Sequence, residues 1–273
     1  MSRALGVPTL LGVPYDASSS FLRGPSEAPR CIREALHSPS ANMWTEDLRD
    51  LGAGGWRDGG DVALPTSGDP RASIEDGVRA LLNAGGRPLV LGGDHSITYP
   101  VLCAVASVHT ELTILHIDAH ADLYDEFEGD RFSHACPFAR IMEERLAARL
   151  VQVGIRTLSG HQRAQADRFG VTVIDMRAWE QGVRPQLDGP LYVSLDIDAL
   201  DPAYAPGVSH WEPGGLRTRD VITMLQQLRG PIVGADLVEL NPQRDVSGRT
   251  AMVAAKLLKE LLAAMMRGAP SAG

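Results

Sequence analysis

Lysine is almost missing from this 273-residue chain: Lys256 and Lys259 are the only two, and arginine supplies the rest of its 26 basic residues. Against 34 acidic residues this leaves a formal charge of −8, which argues against a general basic surface that grips nucleic acid or an anionic membrane. The arginine bias itself reads as codon usage, not as a recognition device. Cysteine is scarce as well. Cys31, Cys103 and Cys136 are far apart and form no C-x-x-C pair, which argues against a disulfide framework or a cysteine zinc site and for a reducing cytosol. The N-terminus lacks the basic start and apolar run of a signal peptide, and no segment approaches the ~18 apolar residues that span a bilayer. The expectation is a soluble cytoplasmic protein without nucleic-acid or membrane partners. Repeats and long low-complexity linkers are absent too, which excludes a solenoid or a string of modules.

What is present is an alternation of short apolar runs with helix-length amphipathic stretches, in a chain that is 44% hydrophobic and long enough to close a substantial core. Strands are expected at Thr9 to Tyr15, Pro88 to Leu91, Leu112 to Asp118, Leu150 to Ile155, Val171 to Ile174, Leu191 to Asp196 and Ile232 to Leu237. Several are apolar on both faces, as parallel strands covered by helices are. Helices are expected at Ile74 to Asn83, Thr98 to Val108, Pro137 to Arg149, Thr218 to Gln227 and Thr250 to Met266, the last closing the sheet. The Gly-, Asp- and Pro-rich span Thr45 to Pro70 reads as a loop or a short edge excursion, not a domain boundary. The fold class is α/β: a three-layer α/β/α arrangement with a mainly parallel central sheet, in one domain over residues 1–273. Ligands of such sheets gather at the carboxyl ends of the strands.

Polar residues cluster there. Asp118, His120 and Asp122 follow an apolar strand at i, i+2 and i+4, and in an extended backbone they share one face. Burying two carboxylates and an imidazole together is costly unless a cation neutralises them. Asp196 and Asp198 end a second strand two residues apart; a lone D-x-D is a weak signal, used by phosphatases, glycosyltransferases and plain turns alike. A third strand ends in Gly92-Gly93-Asp94-His95, whose glycines let the backbone turn so that His95 points into a site. Together these ends offer four carboxylates and two imidazoles, and the four negative charges balance two divalent cations. Oxygen-dominated ligands without thiolate favour Mn²⁺ over Fe²⁺, Co²⁺, Ni²⁺ or Zn²⁺. Metal-assisted hydrolysis is the reaction class implied.

At these residues the chain resembles the ureohydrolases, the family of arginase and agmatinase. The resemblance rests on GGDHS at Gly92 to Ser96, DAHAD at Asp118 to Asp122, SHA at Ser133 to Ala135, SLDIDALDPAYAPG at Ser194 to Gly207, EPGGL at Glu212 to Leu216 and the stretch from Gly234 to Lys256. Plant-type arginases look most similar, through SSFLRGP at Ser19 to Pro25, FEGDRFSHACPFARIME at Phe127 to Glu143 and NPQRD at Asn241 to Asp245. The resemblance implies an arginase/deacetylase-like fold, a homo-oligomer (trimer or hexamer) and hydrolysis of L-arginine to urea and L-ornithine, with agmatine or another guanidino compound as the alternative. It assigns His95, Asp118, His120, Asp122, Asp196 and Asp198 as ligands of two Mn²⁺ per subunit. His134 becomes the proton shuttle and Glu239 the carboxylate that orients the guanidinium. The implied mechanism is attack of a metal-bridging hydroxide on the guanidinium carbon, the departing amine taking a proton from Asp122 or His134.

Some positions depart from patterns common elsewhere in that family. Tyr124 stands where many members carry an asparagine that helps read the amino-acid end of arginine, and His210 where many carry threonine. Ala135 replaces the usual glycine. His210 either lines the substrate pocket or is a hydrogen-bonded core histidine. Glu111 to Asp130 holds seven acidic residues and no Lys or Arg, which either steer a cationic guanidine or form a solvated loop. A two-metal phosphoesterase and a non-catalytic relative that binds metal or a partner protein remain the competing classes.

Overall fold

The computed structural model describes residues 5–267; the outermost parts of the expected 1–273 domain, residues 1–4 and 268–273, lie outside the described residues. Among these are eight strands: β1 (Val7–Val13), β2 (Arg57–Asp61), β3 (Gly86–Gly92), β4 (Thr113–Ile117), β5 (Arg149–Ile155), β6 (Thr172–Asp175), β7 (Leu191–Asp196) and β8 (Ile232–Val238). They form one sheet in the order β2-β1-β3-β8-β7-β4-β5-β6, and every neighbouring pair is parallel. Parallel neighbours need crossovers, and eight helices supply cover for them: α1 (Ala28–Leu36), α2 (Arg71–Asn83), α3 (Thr98–Ala106), α4 (Pro137–Glu143), α5 (Gly160–Phe169), α6 (Met176–Glu180), α7 (Thr218–Gln227) and α8 (Arg249–Met266). None of the described helices is long and apolar enough to cross a membrane. The three cysteines are unpaired.

Side-chain alternation along the strands builds two cores, one on each face. Leu115 and Ile117 of β4, with Val193 and Leu195 of β7, pack against α1, α6, α7 and α8 through Ile32, Trp179, Leu225 and Leu258. Ile114 and Tyr192 point the other way, toward Val78 of α2, Val101 of α3, Ile141 of α4 and Ala166 of α5. The outcome is the expected three-layer α/β/α fold. β4, β7 and β8 are buried at every position, which is why they read as apolar runs interrupted only by His116, Ser194 and Asp236. β2 is exposed at every position and reads Arg-Asp-Gly-Gly-Asp. It is the short edge excursion anticipated between Thr45 and Pro70, and carries no hydrophobic signature because it covers nothing.

Some boundaries differ from expectation for local reasons. The helix expected over Pro137 to Arg149 stops at Glu143, because Arg145 takes φ 55° and the chain turns directly into β5. α5 was not anticipated; its sequence, Gly-His-Gln-Arg-Ala-Gln-Ala-Asp-Arg-Phe, buries only Gln162, Gln165 and Ala166, too little to mark an apolar stripe. Gly92 and Gly93 do not supply a positive φ. Gly93 is required by close approach instead: a Cβ there would lie 1.6 Å from the Tyr15 carbonyl oxygen. Its amide donates to the Val13 carbonyl at 3.1 Å and its carbonyl accepts the Glu239 amide at 2.9 Å, stitching the ends of β1, β3 and β8 together immediately before His95.

Gly93→Ala is therefore expected to cost about 3 kcal/mol by forcing these ends apart. Gly160, whose added Cβ would meet open space, serves as the control: Gly160→Ala should shift stability by no more than about 1 kcal/mol. Urea unfolding midpoints of the two variants test the contrast.

Candidate metal centre and substrate cavity

The four central strands of the sheet, β3, β8, β7 and β4, end side by side, and each delivers acidic or imidazole groups to the same place. His95 and Asp198 sit in 3-10 turns that directly follow β3 and β7. Asp94 caps the first turn by accepting the Ser96 amide at 3.1 Å, and Asp196 caps the second by accepting the Asp198 amide at 2.7 Å. The segment after β4 corrects the sequence reading. The strand ends at Ile117, and the chain bends so that Asp122 adopts φ 50°. Asp118, His120 and Asp122 thus do not share one face of an extended strand. The bend sends Asp122 to His95 and His120 to Asp198, with Asp118 between them.

The distances define two groups with Asp118 in common. His95 Nδ1 lies 3.1 Å from Asp118 Oδ2, 3.1 Å from Asp122 Oδ2 and 3.2 Å from Asp196 Oδ2. His120 Nδ1 lies 3.1 Å from Asp198 Oδ2 and 3.4 Å from Asp118 Oδ1. Donor atoms of His95, Asp118 and Asp122, with His116 beside them, gather in one group, and those of Asp118, His120 and Asp198 in another.

A cation fits this cluster because His95 Nδ1 is an orphan. Ser194 Oγ donates its one proton to Asp236 Oδ1 at 2.7 Å and so accepts from His95 Nε2–H at 2.9 Å. That fixes the proton on Nε2 and leaves Nδ1 buried, without a hydrogen-bond partner, facing three carboxylate oxygens. A bare lone pair in such company is untenable unless a proton or a metal ion sits on it. The titration behaviour says the same. Burial works against a charged His95, but Asp118, Asp122 and Asp196 override it and hold the ring well above its usual range. Burial, reinforced by Asp198 and Asp118, drives the Asp196 carboxyl well above its usual range. Burial likewise raises Asp198 against the pull of His120. Asp118 shifts the other way: against its burial, His116 holds it well below its usual range.

His116, unmarked by the sequence reading, is the next-to-last residue of β4 and has no exposed surface. Its tautomer follows from Gln152, whose Nε2 donates to the Ala121 carbonyl at 2.6 Å and to His116 Nδ1 at 3.0 Å. His116 therefore carries its proton on Nε2 and donates to Asp118 Oδ2 at 2.7 Å. Asp236 is a second buried support, accepting from Tyr192, Thr98 and Ser194 at 2.7, 2.9 and 2.7 Å. The only trace of these supports in the sequence is a polar residue interrupting an apolar strand.

A cavity of about 170 Å³ opens beside the cluster, lined by Asp122, Asp196, Asp198 and His120 together with Ser20, Tyr124, His134, His210 and Glu239. A larger cavity of about 970 Å³, around Ser107, Met142 and Phe169, contains none of these residues. Glu239 follows β8 with φ 64°; its Oε1 accepts the His95 amide at 2.9 Å and His134 Nδ1 at 2.8 Å. Asp122 and Glu239 both hold left-handed conformations that cost on the order of 1–3 kcal/mol each and persist where the surroundings enforce them. Burial disfavours charge on His134, yet Glu239, backed by Asp94 and Asp122, raises it to about 9. Burial also pushes the Glu239 carboxyl up, and His134 with the His95 amide brings it net below its ordinary value.

His210 lines the cavity wall, with its ring centroid 5.8 Å from His120 and 5.4 Å from His134. Its Nε2 is buried and makes no hydrogen bond, so the alternative of a hydrogen-bonded core histidine does not hold for that atom. Tyr124 also reaches the cavity and stacks on His161 with an interplanar angle of 8°. The acidic span before Asp130 is partly neutralised: Asp125 pairs with Arg140 at 2.9 Å and Arg131 at 3.0 Å.

Comparison with known proteins agrees with this geometry. The arginase family model matches residues 8–264. Arginase 1, mitochondrial, of Arabidopsis thaliana is 48% identical over 93% of this chain and 80% of its own. Arginase 2, chloroplastic/mitochondrial, of the same plant is 45% identical over 97% of this chain and 82% of its own. The solved arginase of Medicago truncatula superposes with a TM-score of 0.90 at 45% identity, covering 97% of this chain and 89% of that one. The organelles in two of these names overturn the cytoplasmic expectation. Unpaired thiols report a reducing environment and carry no address, so cysteine usage could not separate one compartment from another.

Removal of the Ser194 hydroxyl frees the His95 ring to turn and to protonate on the wrong nitrogen. Ser194→Ala is expected to weaken metal binding about 10–100-fold with the fold intact, measured by calorimetric titration of chelator-stripped protein.

Proposed function

The chain belongs to the arginase family, and from that premise we propose that it hydrolyses the guanidino group of L-arginine to urea and L-ornithine. It is a metal-dependent hydrolase of small guanidino substrates, and the metal we assign is Mn²⁺, two per subunit. The observation that carries this reading is the orphaned, buried His95 Nδ1 set against three carboxylates, two of which, Asp122 and Asp196, line a cavity that also holds Glu239. His95, Asp118, Asp122 and Asp196 would hold one ion; His120 and Asp198, sharing Asp118, would hold the other. Bound there, two divalent cations supply a water-derived nucleophile near neutral pH, which a resonance-stabilised guanidinium requires.

The chain's own residues do the rest. Glu239 is pinned through Oε1 by the His95 amide and His134, so its carboxylate presents a fixed acceptor to the guanidinium, the geometry such a planar cation pairs with best. His134, raised to about 9 by Glu239 against its burial, carries the proton that the departing amine needs, with Asp122 as the second carrier. His210 forms the wall over the substrate. We assign all 273 residues to one ureohydrolase domain that works as a homo-oligomer, a trimer or hexamer by its resemblance to the family.

The lining supports a guanidino compound over a phosphate ester, because no Lys or Arg lines the cavity among the described residues. The same observation keeps agmatine as the second reading, since agmatine lacks the carboxylate that a basic side chain would pair with. For arginine, neutral donors on the wall such as Tyr124, Thr157 and Gln162 must serve instead.

Urea release from L-arginine and agmatine by protein preloaded with Mn²⁺, with a chelated control, tests the proposal. Chelator-sensitive urea from arginine is the expected result; urea from agmatine alone moves the assignment to the second reading, and urea from neither overturns both. Glu239→Ala should keep its metal and lose about 2–5 kcal/mol of transition-state stabilisation, read as a fall in kcat/KM.

A further inference from the structure

The Ser-Ser-Phe-Leu-Arg-Gly-Pro segment between β1 and α1 is given no role by the reaction as described, yet it reaches the centre of the site. Asp94, fully buried, accepts the Ser18 amide at 3.0 Å and the Ser19 hydroxyl at 3.3 Å, anchoring the segment to the residue just before His95. The anchored loop sets Ser20 against His134: Oγ lies 2.8 Å from Nε2, and the Ser20 amide lies 3.2 Å from the same nitrogen. On the other side of the ring, Nδ1 is 2.8 Å from Glu239 Oε1. Both ring nitrogens are therefore committed, one to Glu239 and one to Ser20. A proton that leaves His134 through Nε2 meets Ser20 first, and Ser20 is on the cavity wall.

We propose that the Ser20 hydroxyl is the relay through which His134 protonates the departing amine, an inference that rests on the guanidino-hydrolase reading of the same site. A serine hydroxyl suits the task because it carries one proton and two lone pairs and rotates freely between donor and acceptor roles. When the ring is neutral, Ser20 Oγ–H donates to Nε2. When the ring is charged, Nε2–H donates to Oγ and the hydroxyl proton turns to the cavity; the amide contact at 3.2 Å belongs to the neutral ring alone. As the carbon–nitrogen bond to the amine breaks, its electron pair stays on that nitrogen, which takes the Ser20 hydroxyl proton. Ser20 Oγ simultaneously takes the Nε2 proton of the imidazolium. Ser20 ends as a hydroxyl again, His134 ends neutral, and one proton has moved from ring to amine.

The hydroxyl–imidazole–carboxylate order is also that of nucleophilic triads. Here the Ser20 amide competes for the Nε2 lone pair that such a triad needs to activate its serine, which favours proton relay over covalent attack.

Three proteins test the relay: wild type, Ser20→Ala and Ser20→Thr, each with its metal content verified and assayed for urea release in mixtures of H2O and D2O. The wild type is expected to show a bowed dependence of kcat on deuterium content, because two protons move together. Ser20→Ala should lose about 10²-fold in kcat, within the span usual for positioned proton transfer, with KM little changed and a straight dependence. Ser20→Thr, which restores a hydroxyl, should recover most of the rate and the bow. A Ser20→Ala enzyme with wild-type kcat and a bowed dependence overturns the relay alone. A Ser20→Thr enzyme that stays as slow as Ser20→Ala and gives a straight dependence also overturns it, by assigning the effect to packing. A wild type that releases no urea from any guanidino compound overturns the functional reading and the relay together.

Discussion

Four carboxylates, Asp118, Asp122, Asp196 and Asp198, are each less than a tenth exposed and converge within a few ångströms of two imidazoles. Like charges at this range in a low-dielectric interior repel one another strongly. Burial, with that repulsion added to it, raises Asp196 and Asp198, while against its own burial Asp118 is held down by His116. Much else in the structure exists to hold the cluster together against this mutual repulsion. The parallel sheet supplies four adjacent strand ends, short capped turns place His95 and Asp198, and Gly93 lets the loop after β1 approach within backbone contact. Asp122 and Glu239 are held in left-handed conformations, a local strain tolerated where a side chain must be aimed.

Beneath the charged residues lies a layer of neutral hydrogen bonding that removes choice from them. Ser194 and Asp236 force His95 to keep its proton on Nε2; Gln152 forces His116 to do the same and to donate to Asp118. Each ring is thereby locked in tautomer and orientation before any ion or substrate arrives, so little reorganisation is left for binding or reaction. In the cavity beside the cluster, Glu239 engages Nδ1 of His134, while the Ser20 hydroxyl can accept from or donate to Nε2.

Much of this was legible in the sequence. Largely apolar strands ending in Asp or His could be read because a parallel sheet buries both faces of its central strands and brings function to their ends. The seven expected strands correspond to β1 and β3 to β8. β2, α1, α5 and α6 were not among the expected elements; β2 is wholly exposed and α5 mostly polar. The six expected ligands do come together, though the extended-strand argument for Asp118, His120 and Asp122 was wrong: a bend at the end of β4 divides them between two groups. His116, Gln152 and Asp236 escaped notice because a single buried polar residue on a strand becomes informative only when its partner, distant in sequence, is known. The cytoplasmic address failed for a different reason, since cysteine usage reflects redox state alone.

The central claim is that this charge cluster is a site for two divalent cations. Chelator-stripped protein titrated with Mn²⁺ in a calorimeter tests it most directly, with circular dichroism as the check on the fold. Two equivalents bound per chain is the result expected; a folded protein that binds one ion or none would contradict the account.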